Sequence, residues 1–295
     1  MSSRFLDELE RRVVVLDGAM GTELSLRGLE AGACGALWNV ERPDDVASIH
    51  KAYLDAGADA VLTNTFGASR PKLDYYELGD RTAEINRAAA ALARKVAGNR
   101  FVLGDVGPTG VFIAPLGETT FDEMVSIFRE QTAALVEGGA DAIIVETMSD
   151  LQEVKAAITA TNDVCDLPVV AGMTFARDAS GTDFHTMMGV GIEQATITMM
   201  EAGADVVGTN CGGDIEQAVK IIERMASVVD VPLFAEPNAG MPRLAGERTV
   251  FDETPEHIAQ RVPEVLNWGV RLIGSCCGTT PAHTAAIVRA VRECS

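Results

Sequence analysis

The chain has 295 residues, 47% of them hydrophobic and 5% aromatic, with 28 glycines, a composition that suits a soluble α/β protein with an ample core. A formal charge of −19 argues against nucleic acid or an anionic membrane as partner, since both are met with basic patches. No apolar run approaches the ~18 residues of a membrane span. Asp7 and Glu8 stand where a secretory leader needs an apolar core. A cytoplasmic protein is expected, with its six cysteines reduced, and there clustered thiols favour metal or catalysis over disulfides.

Taken in order, the chain repeats itself. Asp55-Ala56-Gly57-Ala58-Asp59-Ala60-Val61-Leu62-Thr63-Asn64 returns as Glu137-Gly138-Gly139-Ala140-Asp141-Ala142-Ile143-Ile144-Val145-Glu146. A third copy is Glu201-Ala202-Gly203-Ala204-Asp205-Val206-Val207-Gly208-Thr209-Asn210, and a worn fourth is Asn267-Trp268-Gly269-Val270-Arg271-Leu272-Ile273-Gly274-Ser275-Cys276. Each reads as a helix end, a glycine stop and a buried strand with a polar terminus. The four glycines are spaced 82, 64 and 66 residues apart, about two β/α units each. Further apolar runs at 13–16, 101–104, 168–173 and 232–235 precede the four copies and bring the strands to eight. Amphipathic segments at 44–56, 81–97, 121–137, 151–161, 192–202, 215–228, 255–268 and 281–291 supply the helices. Asp44, Asp122, Asp150, Asp214 and Thr254 are the expected caps. Eight strand–helix pairs with a four-fold echo predict a (β/α)8 TIM barrel, one domain over residues 1–295. A doubly wound open sheet would not explain a symmetrical eight.

In such a barrel the active site lies at the C-terminal ends of the strands. Those ends hold Asp17-Gly18-Ala19-Met20-Gly21-Thr22, Asn64-Thr65, Asp105, Glu146-Thr147, Thr174, Asn210-Cys211, Glu236-Pro237-Asn238 and Cys276-Cys277. Free cysteine is often merely buried. Three thiols at the ends of the sixth and eighth strands, beside glycines, instead suggest a tripod, Cys211, Cys276 and Cys277, for zinc with an open fourth position. A vicinal disulfide between Cys276 and Cys277 is the remaining alternative. Cys34, Cys165 and Cys294 have no such placement. His50, His257 and His283 fall on expected helices and are read as surface residues, and His185 follows the fifth strand.

The run Gly274-Ser275-Cys276-Cys277-Gly278-Thr279-Thr280-Pro281, with Asn210-Cys211 and Leu16-Asp17-Gly18-Ala19-Met20-Gly21-Thr22-Glu23, resembles the homocysteine S-methyltransferase family over essentially the whole chain. Thr63-Asn64-Thr65-Phe66-Gly67-Ala68, Gly104-Asp105-Val106-Gly107-Pro108-Thr109-Gly110 and Glu236-Pro237-Asn238-Ala239-Gly240 are most similar to the homocysteine-binding domain of cobalamin-dependent methionine synthase. They match the betaine and S-methylmethionine branches less well. The segment Ser180-Gly181-Thr182-Asp183-Phe184-His185-Thr186-Met187-Met188-Gly189 departs from that pattern after its Gly-Thr-Asp.

The resemblance implies zinc on Cys211, Cys276 and Cys277, homocysteine bound as thiolate, and methionine as product. It implies that Glu146 takes the ammonium group and that Asn238 covers the metal when substrate is absent. Asp17 and the amides of the Gly18, Gly21 and Thr22 turn are candidates for the amino-acid head group. Asn64 belongs to the same substrate set and, with Asp105, orders the loops. The chain ends just after its eighth helix, so the donor is expected in trans: methylcobalamin or a methylated corrinoid protein. Trp38, Trp268, Tyr53, Tyr75 and Tyr76 avoid the strand ends, against a cage for a small sulfonium or betaine-type cation. A different thiol acceptor, or a non-catalytic barrel with structural zinc, are the competing readings.

Overall fold

The computed structural model describes residues 3–178, 181–245 and 248–294; Ser180 of the departing segment lies outside them. In it the repeated Gly-Ala-Asp triplets act as clasps. Gly57, Gly139, Gly203 and Gly269 take φ of +107°, +97°, +101° and +88°, the left-handed stop that closes a helix. Two residues on, the Asp59, Asp141 and Asp205 amides donate to the carbonyls of Val15, Val102 and Val169 at 2.7, 2.8 and 2.9 Å. Their carboxylates accept the amides of the same three residues at 2.9, 2.8 and 2.8 Å. Each clasp therefore ties the start of one strand to the strand before it. Replacing Asp205 by alanine leaves the Val169 amide without this carboxylate and is expected to cost about 1–3 kcal/mol in a urea titration. An unchanged midpoint would show the clasp to be dispensable.

The strands so tied are β1 Val14–Val15, β2 Ala60–Leu62, β3 Phe101–Val106, β4 Ala142–Met148, β5 Val169–Met173, β6 Val206–Asn210, β7 Leu233–Glu236 and β8 Val270–Ile273. They form one parallel sheet in the order β1-β8-β7-β6-β5-β4-β3-β2. The helices that follow them are α1 Pro43–Asp55, α2 Thr82–Ala97, α3 Phe121–Glu137, α4 Leu151–Val164, α5 Ile192–Glu201, α6 Ile215–Ala226, α7 Pro255–Asn267 and α8 Pro281–Cys294. The result is the expected (β/α)8 barrel, closed except for a ladder at one seam. Between β1 and β2 the Asp59 clasp bridges instead, together with the Asp17 carboxylate, which accepts the Leu62 amide at 3.1 Å. The fourth repeat carries Arg271 where the others carry Asp, and there the β7–β8 pairing slips register between Val270 and Leu272.

The interior is filled by Leu16, Leu103, Ile144, Val170, Phe234 and Leu272 among others. Phe234 fits because Gly172 and Gly208 lack side chains; a Cβ on either would lie 2.3 or 2.5 Å from its ring. Phe5 and Leu9, from the helix Arg4–Arg11, plug the N-terminal end, Phe5 meeting Phe101 edge-on at 5.2 Å between centroids. The chemistry is thereby left to the opposite mouth.

Some expectations need correction. Asp44 does not cap α1, because Pro43 already occupies its first turn and needs no amide partner. Asp122 gives way to Thr120, whose hydroxyl and Glu123 form a reciprocal capping box; Asp150, Asp214 and Thr254 do cap their helices. His50 and His283 are buried rather than superficial. His283 accepts the Thr280 amide on Nδ1 at 3.1 Å, which leaves Nε2 to donate to the Glu253 carbonyl at 3.2 Å. Among the described residues no helix is long and apolar enough to cross a membrane.

Candidate functional site

Three loops bring the thiols together. Cys211 follows β6 with φ +56°, while Cys276 and Cys277 follow β8 and end at Gly278, φ +80°. The segment after β7 is stitched between them. Glu236 accepts the Cys211 amide at 3.0 Å, Pro237 accepts the Cys276 amide at 2.8 Å, and the Ala239 amide donates to the Cys277 carbonyl at 2.9 Å. Sγ of Cys277 lies 3.9 Å from both Cys211 Sγ and Cys276 Sγ, and all three sulfurs are within 4.8 Å of one another. Sulfur ligands at about 2.3 Å on a tetrahedral ion sit about 3.8 Å apart, so the tripod fits zinc. As thiols alone they share one charge. Hydrogen bonds from Cys276 and Cys277 hold Cys211 down to about 3, while the contact with Cys211 pushes Cys277 up to about 12 and, with that of Cys277, holds Cys276 well above the ordinary thiol value. A cation is what permits three thiolates at this spacing.

Beside the thiols, four carboxyl groups are buried: Asp17, Asp105, Glu146 and Glu236. None has an Arg or Lys partner among the described residues. Burial pushes Glu146 up to about 7. Burial, then the neighbouring Glu146 charge, holds Asp105 and Glu236 well above the carboxylate range, and burial does the same to Asp17. Asp105 and Glu146 share a hydrogen bond, yet Asp105 Oδ1 has no partner. The mouth thus holds a desolvated cluster of carboxyl groups biased to their neutral forms, with no basic partner among the described residues. A positive group placed among them would favour their ionised forms.

The first loop is packed against the last. Gly18 is bare by necessity, since a Cβ would come within 2.9 Å of both Thr279 Oγ1 and the Tyr53 ring. The expected open turn across Gly18–Thr22 is in fact a helix, Met20–Leu26, with Gly21 and Thr22 in its first turn, where amides lack intrahelical acceptors. Thr22 Oγ1 accepts the Gly278 amide at 3.1 Å. Asn64 orders loops: its Nδ2 donates to the Gly35 carbonyl at 2.9 Å and its carbonyl accepts Asn39 Nδ2 at 2.8 Å. Asn238 is buried, bonds to the Cys211 sulfur, and its Oδ1 has no partner.

The sequence motifs contain three further participants to which no role was given. Asn210 contacts Glu146 from the position just before Cys211. Glu236, the last residue of β7, is accommodated because Gly274 is bare; a Cβ there would lie 2.8 Å from its Oε1. Thr279 accepts the Ala19 amide at 3.1 Å and donates to the Cys276 carbonyl at 2.7 Å, so it joins the two loops. For Asn210 and Glu236 their place at strand ends was the available signal, and for Thr279 its place beside the paired cysteines.

A (β/α)8 barrel with convergent thiols and buried acids at the C-terminal ends of its strands carries its reactive groups where barrel enzymes act. Residues 14–291 match the family profile described as homocysteine S-methyltransferase, and the chain belongs to that family of methyltransferases. The methionine synthase of Mycobacterium tuberculosis is 34% identical over 97% of this chain and 25% of its own length. That of Mycobacterium leprae is 32% identical over 98% of this chain and 25% of its length, so the chain spans about a quarter of either relative. Among solved structures, the homocysteine methyltransferase MmuM of Escherichia coli in its metallated form superposes with a TM-score of 0.77. It is 25% identical and the match covers 96% of this chain and 98% of that one.

Proposed function

We propose that the chain moves a methyl group onto the thiolate of homocysteine, giving methionine. The observation that carries this is the pairing of a thiol tripod with a cation-free cluster of buried acids on one barrel mouth. Cys211, Cys276 and Cys277 would hold zinc, which when bound supplies the charge that keeps a substrate thiol ionised at neutral pH. Glu146 takes the substrate ammonium, and the first-turn amides of Gly21 and Thr22 take its carboxylate. Asp17 stays with the seam and shapes the floor of that subsite. Asn238 lies across the sulfurs and gives way when substrate sulfur enters. The barrel then holds the nucleophile for in-line attack, with positioning as its main contribution. A metallated form of the relative MmuM supports the metal reading.

For the donor, a methylated corrinoid protein or methylcobalamin supplied in trans fits best. Among the described residues, eight of the ten exposed large hydrophobics lie on strand-to-helix loops, including Phe66, Phe112, Leu116, Met187, Met241 and Leu244. An apolar collar of this kind suits a large docking partner rather than a small solute. The second reading, a small sulfonium or betaine-type donor, gains from phenylalanines. Phe66 lies against Gly107 and Phe251 against Gly278, both on mouth loops. The decisive experiment supplies methylcobalamin, a methylated corrinoid protein, S-methylmethionine and betaine in parallel with homocysteine. Methionine is expected from the corrinoid donors. Methionine from a small donor alone would overturn the donor assignment, and methylation only of some other thiol would overturn the acceptor.

A further inference from the structure

Three non-glycine residues of the described chain have left-handed backbone: Glu77, Thr147 and Cys211. Glu77 closes a local turn, its amide donating to the Asp74 carbonyl at 3.0 Å. The other two sit at the mouth, on neighbouring parts of the site. Thr147 is β-branched, and at φ +58° it is a true outlier that surrounding contacts must impose.

The β4–β5 ladder skips register here, between Val145 and Met148, and one side chain holds the bulge. Asn210 is 1% exposed and spends its whole amide on Glu146 and Thr147. Its Oδ1 accepts the Thr147 amide at 2.8 Å, and Nδ2 donates to Thr147 Oγ1 at 2.7 Å and also to Glu146 Oε2. Thr147 Oγ1 donates to the same Glu146 oxygen at 3.1 Å. Two donors therefore hold Oε2, leaving Oε1 as the oxygen not committed to Asn210 or Thr147. Asn210 is also joined by its own peptide bond to Cys211. Whatever fixes its side chain fixes the spacing between the carboxylate on β4 and the thiol after β6.

We infer that Asn210 is a positioning residue that sets the Glu146 carboxylate at a fixed distance from the Cys211 sulfur, so that the ammonium and the thiol of one amino-acid substrate are gripped together. The inference rests on the proposed reading of Glu146 as the ammonium partner. β5 is paired between the strands of Glu146 and Cys211, and Asn210 adds a direct side-chain link across it. Alanine at 210 removes all three hydrogen bonds. Aspartate keeps the shape and the acceptor for Thr147 but turns a carboxylate oxygen towards Glu146 in place of a donor.

The test compares homocysteine with 4-mercaptobutyrate, the same thiol without its amino group, in the zinc-loaded wild type, Asn210→Ala and Asn210→Asp. Both variants are expected to raise KM for homocysteine at least ~10-fold, with kcat within ~3-fold and zinc per chain unchanged. KM for 4-mercaptobutyrate is expected to stay at the wild-type value. A wild type that discriminates between the two thiols, with variants that lose both equally or lose zinc, would overturn this inference alone. A wild type that treats the two thiols alike would overturn the ammonium reading and the inference with it. If Asn210→Ala does not fold, adding Thr147→Gly relieves the left-handed backbone, because glycine accepts positive φ without strain. The raised homocysteine KM is expected to persist in that double variant. Its return to the wild-type value would reduce Asn210 to a backbone support and overturn the assignment.

Discussion

Changing Cys276 to alanine is expected to abolish methyl transfer and remove zinc, while the circular dichroism of the barrel stays native. Two sulfurs and water would remain, a weaker set that no longer holds the substrate thiol as its fourth partner. Without the ion a free thiol with a pKa near ~8.5 is only a few per cent ionised at neutral pH. The loss should therefore exceed the ~10–100-fold that outer-shell partners of a metal cost. Cys211→Ala and Cys277→Ala are expected to behave alike, since all three sulfurs lie within 4.8 Å of one another. Metal analysis, methionine formation and circular dichroism on the same preparations decide it. Normal zinc and turnover in any variant would remove that cysteine from the ligand set.

The second large effect belongs to Glu146, and it has two opposite signs. Glu146→Gln is expected to weaken homocysteine binding by ~1.5–3 kcal/mol, the worth of a charge-assisted bond to ammonium. The same change is expected to stabilise the substrate-free fold at alkaline pH. Burial raises this carboxyl from an ordinary 4.5 to about 7, so the fold prefers its neutral form. Below the ordinary value both folded and unfolded chains hold the proton and nothing is lost. As pH rises from there to about 7 the unfolded chain ionises while the folded chain keeps its proton, so stability falls by about 2–4 kcal/mol and levels off above that. Glutamine avoids that cost. Thermal melts of wild type and variant should coincide below pH 4.5, diverge between 4.5 and about 7, and keep that separation above it, the variant being higher. Homocysteine affinity should show the mirror image, with the wild-type advantage growing as pH rises through the same window. Parallel melts at both pH values, or equal affinities, would make Glu146 a structural acid and move the ammonium elsewhere.

The barrel was largely legible because its clasps are written in consecutive residues. Gly57-Ala58-Asp59 and its echoes mark helix stop and strand start without any knowledge of neighbours. The convergence of the three thiols was legible because they stand at the ends of two next-but-one strands. What escaped depends on backbone angles and on contacts distant in sequence. Asn210 reads as an ordinary polar strand end until Thr147, 63 positions away, is found left-handed beneath it. Asp17 was read as a head-group ligand, and nothing local says that its carboxylate also bridges the seam to Leu62. Thr120 outcompeted Asp122 for a cap because only Thr120 has a glutamate three residues on. His50 was taken for a surface residue because its helix face cannot be told from a single polar letter.

The uneven clasps bear on how the metal and the fold are coupled. Three strand pairs are locked by an aspartate, whereas the last, β7 with β8, has Arg271 in that position and a slipped register. That quarter also carries Cys276 and Cys277, which face Cys211 across the end of β7. An ion shared by these sulfurs would serve as the missing fourth clasp. Loading and closure of that quarter would then be a single equilibrium, each stabilised by mass action of the other. The same linkage runs in reverse: a chelator would loosen only the sector the ion had fastened, and the three aspartate-clasped pairs would keep the rest of the barrel in place as a template for reloading.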